Sequence, residues 1–139
     1  MKNRFLSLIS LLLALAVIVL EILPFGAVLN FATDPRDSIS VRHTYSYFDL
    51  SPYGYANVGP FTTAVLSVAI LIITLIQMFI RHSPRLELVK SILLGISVIT
   101  SLMPLMFGID YFTVIATFIS ALTVLNAILS TIMLKHTEQ

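Results

Sequence analysis

The chain alternates long apolar stretches with polar connectors, one of which is far longer than the others. The apolar stretches occupy residues 5–29, 61–80, 86–107 and 111–134. An α-helix needs roughly 20 apolar residues to cross the hydrocarbon core of a bilayer. The pattern therefore predicts a single all-α integral membrane domain, residues 1–139, with four transmembrane helices arranged as two hairpins.

The long connector, residues 30–60, is polar and rich in tyrosine. It holds four of the five tyrosines, namely Tyr45, Tyr47, Tyr53 and Tyr55. Apolar and polar residues alternate from Ser38 to Tyr47, and this period of two predicts a strand of about eight to ten residues. Because a lone strand leaves its backbone groups unpaired, we expect a partner, either the segment around 53–58 or another protein.

The basic residues are distributed unequally between the two ends of the predicted spans. One end carries Lys2, Arg4, Arg81, Arg85, Lys90 and Lys135, whereas the other carries Arg36 and Arg42. Since Lys and Arg are enriched in cytoplasmic loops, both termini should be cytoplasmic and the 30–60 loop external. The absence of cysteine and of a glycosylation acceptor favours a prokaryotic plasma (inner) membrane.

Composition supports the membrane assignment and narrows the classes of function. The chain is 58% hydrophobic and only 11% charged, with a mean hydropathy of +0.99, whereas soluble domains carry roughly 25% charged residues. A net charge of +1 gives no reason to expect nucleic-acid binding. The sequence contains no nucleophile motif and no metal-ligand spacing around His43. We therefore expect no enzymatic activity, no cofactor and no metal.

Two further patterns concern symmetry and assembly. Leu23–Gly26 resembles Pro104–Gly108, and Arg81-His82 resembles Lys135-His136, which favours a parallel repeat of one helical hairpin. Chance is the alternative, because leucine-rich spans align readily. Small residues four apart allow close helix approach, within the chain or in a homo-oligomer; they are Ser91 with Gly95 and Ala127 with Thr131.

Glu21 is the only ionisable residue well inside an apolar stretch. It lies about 16 residues into its helix, roughly 24 Å from the start and close to the external face. The carboxylate could be held by Arg36, Arg42, tyrosine hydroxyls or backbone N–H groups of the loop. It could instead bind a proton or cation in a cavity, or reach the membrane surface. Gln77 and Asn126, the other polar amides in the spans, should hydrogen-bond across helices.

These observations favour the first of two functions, and the second is the alternative. In the first, a non-enzymatic accessory or interaction protein presents its aromatic loop, with Arg42, His43 and the four tyrosines, to another membrane or extracytoplasmic protein. In the second, a small transporter or channel subunit uses Glu21 as a proton- or cation-binding carboxylate. The small multidrug exporters also carry a glutamate in the first of four helices, but the long loop and the absence of tryptophan distinguish this chain from them.

Overall fold

Four long helices form the body of the molecule in a computed structural model that describes residues 2–32, 40–50, 54–79 and 83–138. They are α1 (Lys2–Ile22), α2 (Val58–Phe79), α3 (Pro84–Leu102) and α4 (Val114–Glu138). Helices α1 and α3 each pack against both α2 and α4, so the four helices form a closed ring. Each is long and apolar enough to cross a membrane.

The first helix is shorter than the sequence pattern predicts. It ends at Ile22 rather than at residue 29, and Ala27–Ala32 forms a strand, β1. The expectation of an all-α chain is therefore wrong in this region. The apolar residues Val28 and Leu29 are buried, but as strand residues, and Pro24 with Gly26 separates them from the helix.

Strand β1 pairs antiparallel with β2, Ser40–Tyr45, from Ala27 opposite Tyr45 to Ala32 opposite Ser40. The predicted strand in the long loop is confirmed, but its predicted partner is wrong, because β1 precedes it in sequence. We call the end of the helix ring that carries these strands the hairpin end. The opposite end, where α1 begins and α4 finishes, is the terminal end.

The connection between α3 and α4 closes the hairpin end. Helix α3 gives way to two short 3-10 segments, Met103–Phe107 and Ile109–Tyr111, separated by Gly108 at φ 129°. A positive φ of this size favours glycine. Helix α4 then starts later than predicted, because Thr113 Oγ1 accepts the N–H of Ala116 at 3.0 Å and caps it.

The interior of the ring is unusually polar, and its exterior is apolar. Among the described residues, sixteen polar or charged residues are buried, against thirteen hydrophobic ones. Large apolar side chains such as Leu12, Ile72, Ile99 and Leu125 are exposed instead. Some of the short polar side chains donate hydrogen bonds to the backbone of their own helix. Thr74 Oγ1, for example, donates to the Ile70 carbonyl at 2.8 Å.

Small residues on α3 and α4 do not all serve close packing. Gly95 is exposed, and a Cβ placed on it would meet no atom within 4 Å. With Ser91, Ala127 and Thr131 it lines an open groove on the outer surface between the two helices. The expectation of tight contact at Gly95 within the chain is therefore wrong.

Candidate functional site

Glu21 lies in the last turn of α1, at the hairpin end, with its side chain directed into the helix ring. It is 0% exposed. Its Oε1 accepts a hydrogen bond from Ser67 Oγ of α2 at 2.7 Å. Its Oε2 is buried and has no hydrogen-bond partner among the described residues. A buried carboxylate oxygen without a partner is costly, so this atom is the most unusual feature of the interior.

Tyr47 covers Glu21 from the hairpin. The residue follows β2, and its peptide N–H donates to the Glu21 carbonyl oxygen at 2.9 Å. Its ring packs so closely on Gly26 that a Cβ there would come within 2.9 Å of it. The Tyr47 hydroxyl is fully buried and also lacks a hydrogen-bond partner among the described residues. The two unpartnered atoms, Glu21 Oε2 and the Tyr47 hydroxyl oxygen, thus belong to two residues that are joined by a backbone hydrogen bond.

Burial raises the pKa of Tyr47 above that of an ordinary tyrosine, and the negative charge of Glu21 raises it further. The hydroxyl group therefore stays protonated across the physiological range and remains a hydrogen-bond donor. Glu21 Oε2 and the Tyr47 hydroxyl are both buried, and neither has a hydrogen-bond partner among the described residues. The site can accordingly offer a donor and an acceptor to a third group.

The expected basic partners of Glu21 are not found among the described residues. Arg42 is exposed on β2 and pairs in register with Asn30. No described Lys, Arg or His side chain forms an ion pair with Glu21, and Arg36 lies outside the described residues. The expectation that the carboxylate reaches the membrane surface is also wrong, because the side chain is enclosed by the helices.

A small cavity adjoins the Glu21 site on the side of the terminal end. Its volume is about 10 Å³, at the lower limit of the roughly 10–15 Å³ that one water needs. All four helices line it: α1 with Ala14 and Val17, α2 with Ser67 and Ile70, α3 with Leu94, and α4 with Thr123 and Asn126. Ser67 therefore contacts both Glu21 and the cavity.

Asn126, on the far side of the cavity, connects α4 to α1. Ser10 Oγ donates to Asn126 Oδ1 at 2.7 Å, and Asn126 Nδ2 donates to the Ser10 carbonyl at 3.4 Å. The predicted cross-helix hydrogen bonding of this amide is confirmed. The cavity thus separates two hydrogen-bonded polar pairs, Glu21–Ser67 and Ser10–Asn126.

A second buried carboxylate, Glu87, lies near the terminal end and is fully compensated. Lys90 Nζ lies 2.9 Å from Glu87 Oε1, and both side chains are 0% exposed. Gln77 Nε2 donates to Glu87 Oε2 at 2.8 Å, and Ser130 Oγ donates to Oε1 at 2.6 Å. Lys90 also donates to Gln77 Oε1 at 3.2 Å, which confirms the predicted cross-helix role of Gln77. We call these four residues the terminal cluster.

The remaining predicted site residues are spread over the hairpin. Arg42 and His43 are exposed, and the His43 ring lies 5.8 Å from Phe31 and 6.4 Å from Tyr45, centroid to centroid. Tyr45 is half-buried and packs against the apolar core beneath the sheet. Tyr53 and the side chain of Tyr55 lie outside what the structure describes. Of the predicted loop residues whose side chains the structure describes, Tyr47 alone contacts Glu21, through its backbone N–H.

Three residues of the buried sites carry no strong signal in the sequence. Ser67 is a single serine in an apolar stretch, and Glu87 and Lys90 resemble the charges that flank any membrane helix. For Ser67 there is one helical signal. Polar residues recur on α2 at the interval of one buried face, at Thr63, Ser67, Thr74 and Gln77. Comparison of the chain with protein-family models, curated proteins and solved structures finds no match.

Proposed function

We propose that the protein is an integral membrane protein, a small transporter or channel subunit, in which Glu21 binds a proton or a small cation. The observation that carries this proposal is the buried Glu21 carboxylate, which has one hydrogen bond from Ser67 and one oxygen without a partner. A carboxylate within a membrane span is expensive unless it is neutralised. A bound proton or cation supplies that neutralisation where the described part of the chain supplies none.

The contrast with Glu87 supports this interpretation. Glu87 is equally buried, yet it has an ammonium group, an amide and a hydroxyl around it, as a structural carboxylate requires. Glu21 has only the Ser67 hydroxyl. If Glu21 and Ser67 served only to stabilise the helix ring, apolar residues at both positions would serve better, because they would leave no polar atom of the pair unpaired.

The proposed arrangement places both termini in the cytoplasm and the hairpin outside, in a plasma (inner) membrane. The apolar exterior of the helices and the excess of basic residues at the terminal end support this orientation. The site at Glu21 then lies near the external face. Between this site and the terminal end lie the buried polar residues Ser67 and Asn126, with a small, mostly apolar cavity between them. The parallel hairpin repeat remains a prediction.

A flux measurement on purified protein tests the proposal. The protein would be reconstituted into liposomes that contain a dye sensitive to H⁺, Na⁺ or K⁺, and the gradient of the matching ion would be imposed, with an ionophore for a different ion to dissipate the membrane potential. We expect gradient-driven flux for the wild type and its loss in Glu21→Gln. Asp110→Asn, which removes an exposed carboxylate at the same end, should retain the flux. Flux that is absent from the wild type, or unchanged in Glu21→Gln, contradicts the proposal.

The interaction function is a second candidate, supported by the apolar surface of the hairpin end. Phe25, Phe31, Val41 and Leu50 are all exposed there, Phe25 by 57% and Leu50 by 60%. Tyr47 cannot belong to such a surface, because it is fully buried. The candidate partner is another membrane or extracytoplasmic protein, although a second copy of this chain would also fit.

Extraction from native membranes in mild detergent tests this second candidate. A companion protein that is extracted in stoichiometric amount with the wild type would support this candidate if the double variant Phe31→Ser with Val41→Ser loses it. The control variant Arg85→Ala, at the terminal end, should retain the companion. A monomer without a companion would leave the transporter proposal as the better account.

A further inference from the structure

We propose that the cavity between Ser67 and Asn126 holds one water molecule, and that this water relays protons between Glu21 and the terminal half of the helix ring. This inference rests on the proposed function and deepens it, because it names the proton as the transported species. It stands on the position of the cavity, on the residues that line it and on the coordination available at Glu21.

The orientation of the Ser67 hydroxyl suits a relay. Its hydrogen is directed to Glu21 Oε1 at 2.7 Å, which leaves the lone pairs of Ser67 Oγ to accept a hydrogen bond from a water in the cavity that Ser67 lines. On the opposite wall, Thr123 Oγ1 donates to the Ile119 carbonyl and can accept a second hydrogen bond. Asn126 adds an amide to the same wall. A water there has the two to four polar partners that buried waters normally have.

Proton transfer along this line conserves atoms and charge. Ser67 passes its hydroxyl hydrogen to the Glu21 carboxylate and receives one from the protonated water, so that Glu21 becomes neutral and the water returns to its neutral form. The reverse sequence releases the proton toward the terminal end. On the hairpin side, the charge of Glu21 raises the pKa of Tyr47; the residues of α2, α3 and α4 that line the cavity carry no ionisable side chain.

The geometry disfavours a metal cation as the transported species. Hard cations prefer about six oxygen ligands, whereas the hydroxyl of Ser67 is the one side-chain oxygen of the described residues within hydrogen-bond distance of the Glu21 carboxylate. The cavity of about 10 Å³ lies at the lower limit of the volume that one water needs, and it is too small for a hydrated ion. The apolar side chains Val17, Ile70 and Leu94 occupy the rest of its wall, so the passage beyond Ser67 is narrow and mostly apolar.

Filling the cavity tests the relay. Ala14 is 4% exposed and lines the cavity, so Ala14→Val would place methyl groups where the water lies. Ala121→Val, the same substitution at an exposed position of α4, is the matched control. Thr123→Val is a second variant, which keeps the size of the side chain and removes a hydroxyl. Folding of each variant would be verified by circular dichroism and size-exclusion chromatography.

In the liposome assay we expect Ala14→Val and Thr123→Val to lower proton flux at least about tenfold, and Ala121→Val to conduct as the wild type does. Wild-type liposomes should show no flux of Na⁺ or K⁺. Wild-type proton flux in folded Ala14→Val or Thr123→Val, or Glu21-dependent flux of Na⁺ or K⁺, would overturn the relay. Loss of flux in Glu21→Gln with full flux in these variants would refute the relay alone, whereas unchanged flux in Glu21→Gln would refute the proposed function.

Discussion

The peptide N–H of Tyr47 donates a hydrogen bond to the carbonyl oxygen of Glu21 at 2.9 Å. The residue that carries the buried carboxylate and the residue that covers it are therefore joined through their backbones. Gly26 N–H also donates to the Tyr45 carbonyl at 3.1 Å, which joins the same two chain segments a second time. Separation of the hairpin from α1 would break the bond between Tyr47 and Glu21.

We expect Gly26→Ala to destabilise the hairpin end. The new Cβ would lie 2.9 Å from two carbons of the Tyr47 ring, so the ring would have to move, at a cost of about 1–3 kcal/mol. Gly95→Ala is the control, since its Cβ meets nothing within 4 Å and alanine favours a helix by about 1 kcal/mol. Unfolding in sodium dodecyl sulfate would measure both. Equal stability of the two variants would argue against close packing at Gly26.

The stability of the protein should fall at alkaline pH because of Tyr47. Its pKa is raised in the folded state, whereas an unfolded tyrosine titrates near 10. Below about pH 10 the group is protonated in both states, and its contribution to stability is fully present. Above that pH the unfolded state ionises first, so stability declines. Tyr47→Phe should lessen this decline in an unfolding series across the alkaline range; an identical decline in that variant would refute the assignment.

The same shift should be visible directly in the tyrosine absorbance. We expect a component of the tyrosine titration at unusually high pH, because the pKa of Tyr47 is raised. That late component should be missing from Tyr47→Phe and present in Tyr111→Phe, which removes a tyrosine at the same end. A late component that survives in Tyr47→Phe would mean that another tyrosine is the buried one.

The terminal cluster should behave as a buried ion pair. Lys90→Met leaves Glu87 buried with a charge and no counter-charge, and we expect a loss of about 3–5 kcal/mol in the free energy of unfolding. The double variant Glu87→Gln with Lys90→Met removes both charges and should recover most of that loss. If the double variant is as unstable as the sum of the two single variants, the 2.9 Å contact between Lys90 and Glu87 contributes no coupling.

The orientation of the chain can be determined by single cysteines, since the native sequence has none. Thr44 is exposed on β2 and Lys135 is exposed near the end of α4. A membrane-impermeant thiol reagent added to intact cells should label Thr44→Cys and leave Lys135→Cys unlabelled until the membrane is opened. The opposite result would invert the proposed topology and place Glu21 near the cytoplasm.

The hydrophobic pattern was sufficient for most of the helices and insufficient for the hairpin. Helices α2, α3 and α4 are predictable because an apolar run of about 20 residues is typical of a membrane-spanning helix. The end of α1 was missed because the buried strand residues Val28 and Leu29 continue the apolar run without a break in hydropathy. Pro24 and Gly26 marked the true boundary, but two such residues also occur in kinked helices.

The sequence alone identifies one residue of the candidate site, Glu21, and does not identify the residues that surround it. Glu21 stands out because a lone carboxylate in an apolar run is rare. Its contact with Ser67 depends on how α1 and α2 rotate against each other, which the periodicity of either helix alone does not determine. The burial of Glu87 with Lys90 was missed for a related reason. Charges near a helix end normally lie in water, and this pair lies inside because Gln77 of α2 and Ser130 of α4 supply hydrogen bonds to it.

The central claim is that the Glu21 carboxyl group takes up and releases a proton within the helix ring. Infrared difference spectroscopy after a pH jump, on protein reconstituted in lipid, tests it most directly, because the carbonyl stretch of a neutral carboxyl group differs from that of a carboxylate. We predict a carboxyl band that appears and disappears with pH, that is absent from Glu21→Gln and that persists in Asp110→Asn. A spectrum in which no pH-dependent band is lost in Glu21→Gln would contradict the account.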